Sequence, residues 1–98
     1  MKHYMIVDMG TGNSRVALVR EDGELLCVKT FENIYYIDDA YEDAQYFDPS
    51  FWERNILGLC REIICAYPNI PIDGISSSGA RETIVLINRE QEAFYGLP

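Results

Sequence analysis

Short apolar runs separated by polar turns mark the first third of the chain. Residues 4–7 form a continuous apolar run, which predicts a central strand buried on both faces. Two further runs, at 16–19 and 25–31, flank Glu21-Asp22-Gly23, a sequence typical of a hairpin turn. We therefore predict that the chain opens with an antiparallel meander of three strands.

Apolar residues in the middle of the chain recur with the period of an α-helix. Asp48 can cap the free N–H groups at the start of this helix, and Pro49 suits its first position. Pro68 cannot continue a helix, so we predict that the helix ends there. Charged residues fill one face, and the opposite face is an apolar stripe that we expect to pack in the core: Trp52, Ile56, Leu59, Cys60, Ile63 and Tyr67.

The last quarter of the chain returns to β-structure. Residues 74–79 predict a strand parallel to the first, because a crossover helix joins parallel strands of one sheet. Residues 83–87 predict a further strand, 88–91 a turn, and 94–95 the start of another strand. The predicted fold class is α/β, with the order of elements that opens a ribonuclease-H-like domain: an antiparallel meander, one main helix, a parallel strand and a further hairpin.

Residues 32–48 fit neither the strand nor the helix pattern. Acidic residues there are interleaved with aromatic ones: Tyr35, Tyr36, Tyr41, Tyr46 and Phe47. This aromatic content is too high for a disordered segment. We predict an acidic, aromatic surface excursion whose rings lie back on a single, incomplete domain formed by residues 1–98.

Charge and cysteine content limit the partners and the compartment. The net charge of −8 over 98 residues repels phosphate backbones and anionic lipids, so we expect neither nucleic acid nor membrane as a partner. The three cysteines form no CxxC pair, which favours thiols in a reducing compartment. The first apolar run is too short for a signal peptide or a membrane span. We therefore expect a cytoplasmic protein.

The first candidate site is the turn after the first strand, residues 8–15 with the sequence DMGTGNSR. Small residues in such a turn can aim several backbone N–H groups at one point and so bind an anion. Asp8 could hold Mg²⁺, and the planar guanidinium of Arg15 could reach a phosphate oxygen. Thr11 and Ser14 would add hydroxyls to this site. The spacing fits equally well a plain hairpin in which Asp8 caps the turn.

The second candidate site is the adjacent pair Arg81 and Glu82, between two predicted strands. Together they offer donors and acceptors that suit vicinal hydroxyls. Successive strand residues face opposite sides, so both could converge on one ligand only at a bend. The alternative is an exposed ion pair at a strand end, which contributes little stability.

Three segments of the chain resemble FGGY carbohydrate kinases, which share the superfamily of actin, hexokinase and the heat-shock chaperone ATPases. The sequence IVDMGTGNSR at 6–15, followed by VALVREDG, is similar to the family's first phosphate motif. Asp48-Pro49 with Trp52 resembles its Asp-Pro-x-x-Trp segment, and the likeness continues through 75–88. The resemblance covers most of the chain and is weakest at 32–47.

The resemblance implies an ATP-dependent kinase that uses Mg²⁺ to transfer the γ-phosphate to a sugar or polyol hydroxyl. It implies that Asp8 assists metal binding. Arg81 and Glu82 stand where glycerol kinases and autoinducer-2 kinases contact substrate hydroxyls, whereas xylulokinase-like members carry a different sequence there. The residues that would line the ATP phosphates are Gly10, Thr11, Gly12, Asn13 and Arg15.

The resemblance also implies that the general base, the second phosphate loop and the adenosine pocket lie beyond residue 98. No catalytic residue is then expected in this chain, and we expect the chain to be inactive alone and to need the remainder of the kinase. Two alternatives stay open: a non-catalytic scaffold or interaction module, and an ATPase of the chaperone or filament type, against which Arg81 and Glu82 argue. Bare sheet edges would also favour self-association.

Overall fold

The computed structural model of the chain describes residues 1–79 and 83–98. The main sheet has the strand order β3-β2-β1-β6, and two small hairpins accompany it. The elements follow in chain order: β1 (His3–Met9), β2 (Asn13–Arg20), β3 (Leu25–Glu32), β4 (Tyr36–Ile37), β5 (Gln45–Tyr46), α1 (Pro49–Ala66), β6 (Gly74–Gly79), β7 (Ile84–Ile87) and β8 (Ala93–Leu97).

The strand pairing confirms the predicted α/β fold class. Strands β1, β2 and β3 form the antiparallel meander, and the turn between β2 and β3 contains Gly23 at a φ of 90°. Strand β6 returns parallel to β1 after the helix, and β7 and β8 form an antiparallel hairpin. The sequence patterns predicted each of these pairings, because the apolar runs and turn residues agree with the final fold.

Helix α1 begins where the sequence predicts. The carboxylate of Asp48 accepts hydrogen bonds from the N–H groups of Ser50 and Phe51 at 3.0 and 3.3 Å, which satisfies two donors that the first turn leaves free. The helix ends at Ala66, two residues before Pro68. Within the residues that the structure describes, no helix is long and apolar enough to span a membrane.

The hydrophobic core lies between helix α1 and one face of the main sheet. Its buried members come from β1, β2 and α1: Met5, Val16, Leu18, Ile56 and Ile63. Cys27 and Cys60 pack at its margin as free thiols. Successive strand residues face opposite sides, so Asp8 and Arg15 lie on the other face of the sheet, away from the helix.

Residues 33–48 leave the sheet and bring two aromatic rings against Trp52 in the first turn of α1. The Phe47 ring stacks on Trp52 with centroids 4.0 Å apart, and the edge of Tyr35 approaches Trp52 at 5.8 Å. We call Tyr35, Phe47 and Trp52 the aromatic cluster. The short hairpin β4–β5 lies within this segment, and its Tyr46 stacks on Tyr95 of β8 at 5.1 Å. The sequence patterns did not indicate this hairpin.

Candidate functional site

The predicted phosphate turn lies between the end of β1 and the start of β2. We call residues 10–13 the glycine turn. The N–H of Gly10 donates to the carbonyl of Asn13 at 3.1 Å and closes the turn. A β-carbon on Gly10 would lie 2.7 Å from that same oxygen, so this position requires a glycine. A β-carbon on Gly12 would meet none of the described atoms within 4 Å, which leaves room for a ligand.

Every carbonyl of the glycine turn accepts a hydrogen bond from within the protein. Asn33 donates twice, from Nδ2 to the Gly10 carbonyl at 2.6 Å and from its backbone N–H to the Gly12 carbonyl at 3.0 Å. The hydroxyl of Tyr35 donates to the Thr11 carbonyl. Since the Asn13 carbonyl accepts from Gly10, no carbonyl oxygen of the turn is left to face an anion.

The peptide groups of the glycine turn leave the N–H groups of Thr11 and Gly12 free of these carbonyl partners. A trans peptide places each C=O and the following N–H on opposite sides, and none of the described peptide bonds is cis. The Gly10 carbonyl accepts from the buried Asn33, so the N–H of Thr11 points away from the interior, and the N–H of Gly12 points away from Tyr35, to which the Thr11 carbonyl is bonded. Neither N–H has an acceptor within residues 1–79 and 83–98. Adjacent outward N–H groups make an anion-binding concavity.

Asp8 and Arg15 lie directly opposite each other on β1 and β2 and form an ion pair. Nη1 of Arg15 is 3.0 Å from Oδ2 of Asp8, and their side chains are 50% and 38% exposed. The pair is thus half-exposed on the open face of the sheet, beside the glycine turn. On the other side of β1, Ser78 of β6 is level with Asp8.

These groups suit a Mg²⁺ ion that is shared with a phosphate rather than one held by protein alone. Among the described residues, no group of three or more His, Cys, Asp or Glu side chains could hold a metal ion. Mg²⁺ commonly binds through one or two carboxylates together with phosphate oxygens and water. One carboxylate, Asp8, beside the glycine turn is compatible with that pattern.

The predicted substrate pair, Arg81 and Glu82, lies outside the described residues. Their neighbours Gly79 and Thr83 border a cavity of about 390 Å³ between the start of α1 and the ends of β1, β6 and β7. Its walls are mostly apolar: Met9, Phe47, Pro49, Trp52, Ile56, Leu57 and Val85. Such walls give a polyol few hydrogen bonds, so the described lining alone does not form a polyol site.

Sequence reasoning missed Asn33, which supports the glycine turn from behind, and was wrong to place the Ser14 hydroxyl among the groups that face an anion. Asn33 is 7% exposed and Ser14 is fully buried, and the Ser14 hydroxyl donates to Oδ1 of Asn33 at 2.8 Å. The meander pairs the end of β3 with the start of β2, so the residue just after β3 had to lie beside the turn. That adjacency is the signal in the sequence that points to Asn33.

A relative of known sequence matches almost the whole chain. It is "Putative sugar kinase YoaC" of Bacillus subtilis (strain 168), 35% identical over 97 residues, which are 99% of this chain and 20% of that protein. The chain thus spans about a fifth of the length of this curated relative. No family model matches the chain.

Solved kinase structures share the fold. Xylulose kinase from Rhodospirillum rubrum superposes with a TM-score of 0.86 at 17% identity, covering 98% of this chain and 20% of that one. Gluconate kinase from Lactobacillus acidophilus gives a TM-score of 0.73 at 18% identity, covering 98% and 19%. In sequence and in fold, the chain is thus similar to the N-terminal portion of FGGY-family carbohydrate kinases.

Proposed function

We propose that the chain is the phosphate-facing part of an ATP-dependent kinase that transfers the γ-phosphate to a hydroxyl of a sugar or polyol. The observation that carries the proposal is that the N–H groups of Thr11 and Gly12 have no acceptor among the described residues and lie beside the ion pair of Asp8 and Arg15. Phosphoryl transfer depends on positioning and on electrostatic stabilisation of phosphate oxygens. Similarity to a protein named as a sugar kinase supports this assignment.

Each site residue then has a specific role. The glycine turn donates backbone hydrogen bonds to the phosphates, with Gly12 leaving space for their approach. Arg15 would bind a phosphate oxygen, and Asp8 would hold Mg²⁺, which would neutralise phosphate charge there. Arg81 and Glu82 hold the hydroxyl groups of the substrate. We keep the cytoplasmic location as a prediction.

Binding of phosphate is testable on this chain by amide-resolved NMR. We expect ATP with Mg²⁺ to shift the amide signals of Thr11 and Gly12 in a saturable way. Inorganic triphosphate with Mg²⁺ should reproduce these shifts, and adenosine, which has no phosphate, should not. Shifts that saturate elsewhere, or no shifts at millimolar ATP, would contradict the proposal.

Catalysis by this chain alone is not expected. It matches only 20% of the length of its relative, and the proposed site has one wall, since the glycine turn and Asp8 lie on one open sheet face. A coupled assay of ADP release with ATP, Mg²⁺ and a panel of polyols should therefore give no turnover. Measurable turnover would contradict this expectation.

Phosphate binding separates the kinase assignment from a non-catalytic interaction module. For such a module, ATP would not shift the amide signals of the glycine turn.

A further inference from the structure

We propose that Asn33 is a positioning residue that fixes which way the glycine turn faces. The inference rests on the proposed function, because it assigns to Asn33 the orientation of the N–H groups that bind phosphate. Asn33 lies one residue beyond β3 and is 7% exposed. It is thus placed behind the turn, where it contacts the turn and not the ligand.

Three hydrogen bonds tie Asn33 to the turn and the start of β2. Its Nδ2 donates to the Gly10 carbonyl at 2.6 Å, and its backbone N–H donates to the Gly12 carbonyl at 3.0 Å. Its Oδ1 accepts from the buried hydroxyl of Ser14 at 2.8 Å. Because a carbonyl oxygen only accepts, Nδ2 must face Gly10 and Oδ1 must face Ser14. The amide of Asn33 therefore has one orientation.

This orientation determines the sign of the dipoles at the surface of the turn. The Nδ2 group holds the Gly10 carbonyl inward, so the N–H of Thr11 points outward. Without that donor, the peptide between residues 10 and 11 could rotate and present its carbonyl oxygen to the ligand. A carbonyl oxygen repels a phosphate oxygen, whereas an N–H attracts it. Asn33 thus supports phosphate binding without touching phosphate.

The test compares Asn33→Ala with Ile63→Val, a core substitution that lowers stability far from the turn. In amide-resolved titrations with ATP and Mg²⁺, we expect Asn33→Ala to weaken binding about tenfold, the loss of one hydrogen bond to a charged group. Ile63→Val should bind like the unsubstituted chain. Without ligand, the Gly10 amide, which donates to Asn13, should exchange with solvent faster in Asn33→Ala than in Ile63→Val.

The outcomes separate this inference from the proposed function. If the unsubstituted chain binds ATP and Asn33→Ala binds within about twofold of it, the inference is overturned and the proposed function stands. If the unsubstituted chain does not bind ATP, the proposed function fails. The inference is then judged by amide exchange alone, and an unchanged exchange rate of the Gly10 amide in Asn33→Ala overturns it. Should Asn33→Ala not fold, Ser14→Ala removes only the bond to Oδ1 and should give a smaller increase in Gly10 exchange; no increase would contradict the inference.

Discussion

Phe47 and Gly96 exchange both of their backbone hydrogen bonds. Each N–H donates to the carbonyl of the other residue at 3.0 Å. This single bridge joins β8 to the segment that enters helix α1. The Phe47 ring lies directly over Gly96, and it also stacks on Trp52. The hairpin β7–β8 is thereby attached to the aromatic cluster through a position that has no room for a side chain.

We predict that Gly96→Ala destabilises this attachment. A β-carbon at Gly96 would overlap the Phe47 ring, so the ring or the strand must move. Overpacking of this kind costs about 1–3 kcal/mol in the free energy of unfolding. Urea denaturation followed by fluorescence measures the change, because Trp52 is the single tryptophan of the chain and stacks on Phe47. A variant as stable as the unsubstituted chain would contradict the close approach.

Alanine substitutions at the two glycines of the glycine turn should differ in their effect on the free energy of unfolding. Gly10→Ala places a β-carbon 2.7 Å from the Asn13 carbonyl oxygen, so we expect a loss of about 1–3 kcal/mol. Gly12→Ala meets none of the described atoms within 4 Å and has no positive φ. Its stability should be unchanged or about 0.4–1 kcal/mol higher, because alanine restricts the unfolded chain.

Thermal unfolding of the two variants in parallel tests this pair, with each serving as the control for the other. Equal losses in both would show that the turn is not closed by the Gly10–Asn13 contact. The same Gly12→Ala variant should bind ATP more weakly, since its methyl group occupies part of the space left for the ligand.

The hydrogen bond from the Tyr95 hydroxyl to Asp38 should be visible in a pH titration. It raises the pKa of Tyr95 from 10.0 to about 12 and, with a bond from the Ala40 N–H, lowers the pKa of Asp38. The Tyr95 contribution to stability is therefore fully present below pH 10.0 and lost as pH rises towards about 12. The Asp38 contribution is present above its ordinary pKa of 3.8 and lost as pH falls through the lowered value.

The raised pKa of Tyr95 can be checked by following the absorbance of tyrosine phenolates as the pH is raised. One late step should appear among the seven tyrosines. Tyr95→Phe should remove the late step, and Asp38→Asn should move it to lower pH. Tyr4→Phe, on strand β1 of the main sheet, should leave it in place. A late step that survives Tyr95→Phe would assign it to another tyrosine.

Strand β7 is predicted to mediate self-association. All four of its residues are apolar, with exposures of 54, 41, 40 and 62% from Ile84 to Ile87, and among the described residues it pairs only with β8. An exposed apolar edge strand favours pairing with a second copy. Light scattering should show a mass that rises with concentration. Val85→Lys should suppress the rise, whereas Ile64→Lys, on the exposed side of helix α1, should not. A monomeric mass at high concentration would contradict the prediction.

Local signals in the sequence were sufficient for the main elements of the fold. Asp48 and Pro49 start the helix through contacts that act within one turn. The spacing of the apolar residues from Trp52 to Tyr67 fits the period of an α-helix and not that of a strand. The hairpin β4–β5 could not be predicted in this way. Its strands have two residues each, and its Tyr46 is held by Tyr95, which lies 49 positions later in the chain.

Of the candidate site, only the residues of the glycine turn itself could be predicted from the sequence, and the contacts behind the turn could not. Gly10, which closes the turn, and Gly12, which leaves it open, are only two positions apart, so their spacing carried the prediction. The residues behind the turn are distant: Asn33 lies 23 positions from Gly10 and 19 from Ser14. A single Asn after a strand has no pattern of its own, and its role depends on how β3 returns beside β2.

The position of β1 between β2 and β6 also determines the order in which its two pairings can form during synthesis. Its pairing with β2 is local, whereas His3 and Asp73, 70 positions apart, exchange hydrogen bonds at the start of the β1–β6 ladder. Ribosomes add roughly 5–20 residues per second. The meander can therefore form seconds before β6 emerges, and during that interval the free edge of β1 is open to chaperones and to neighbouring nascent chains.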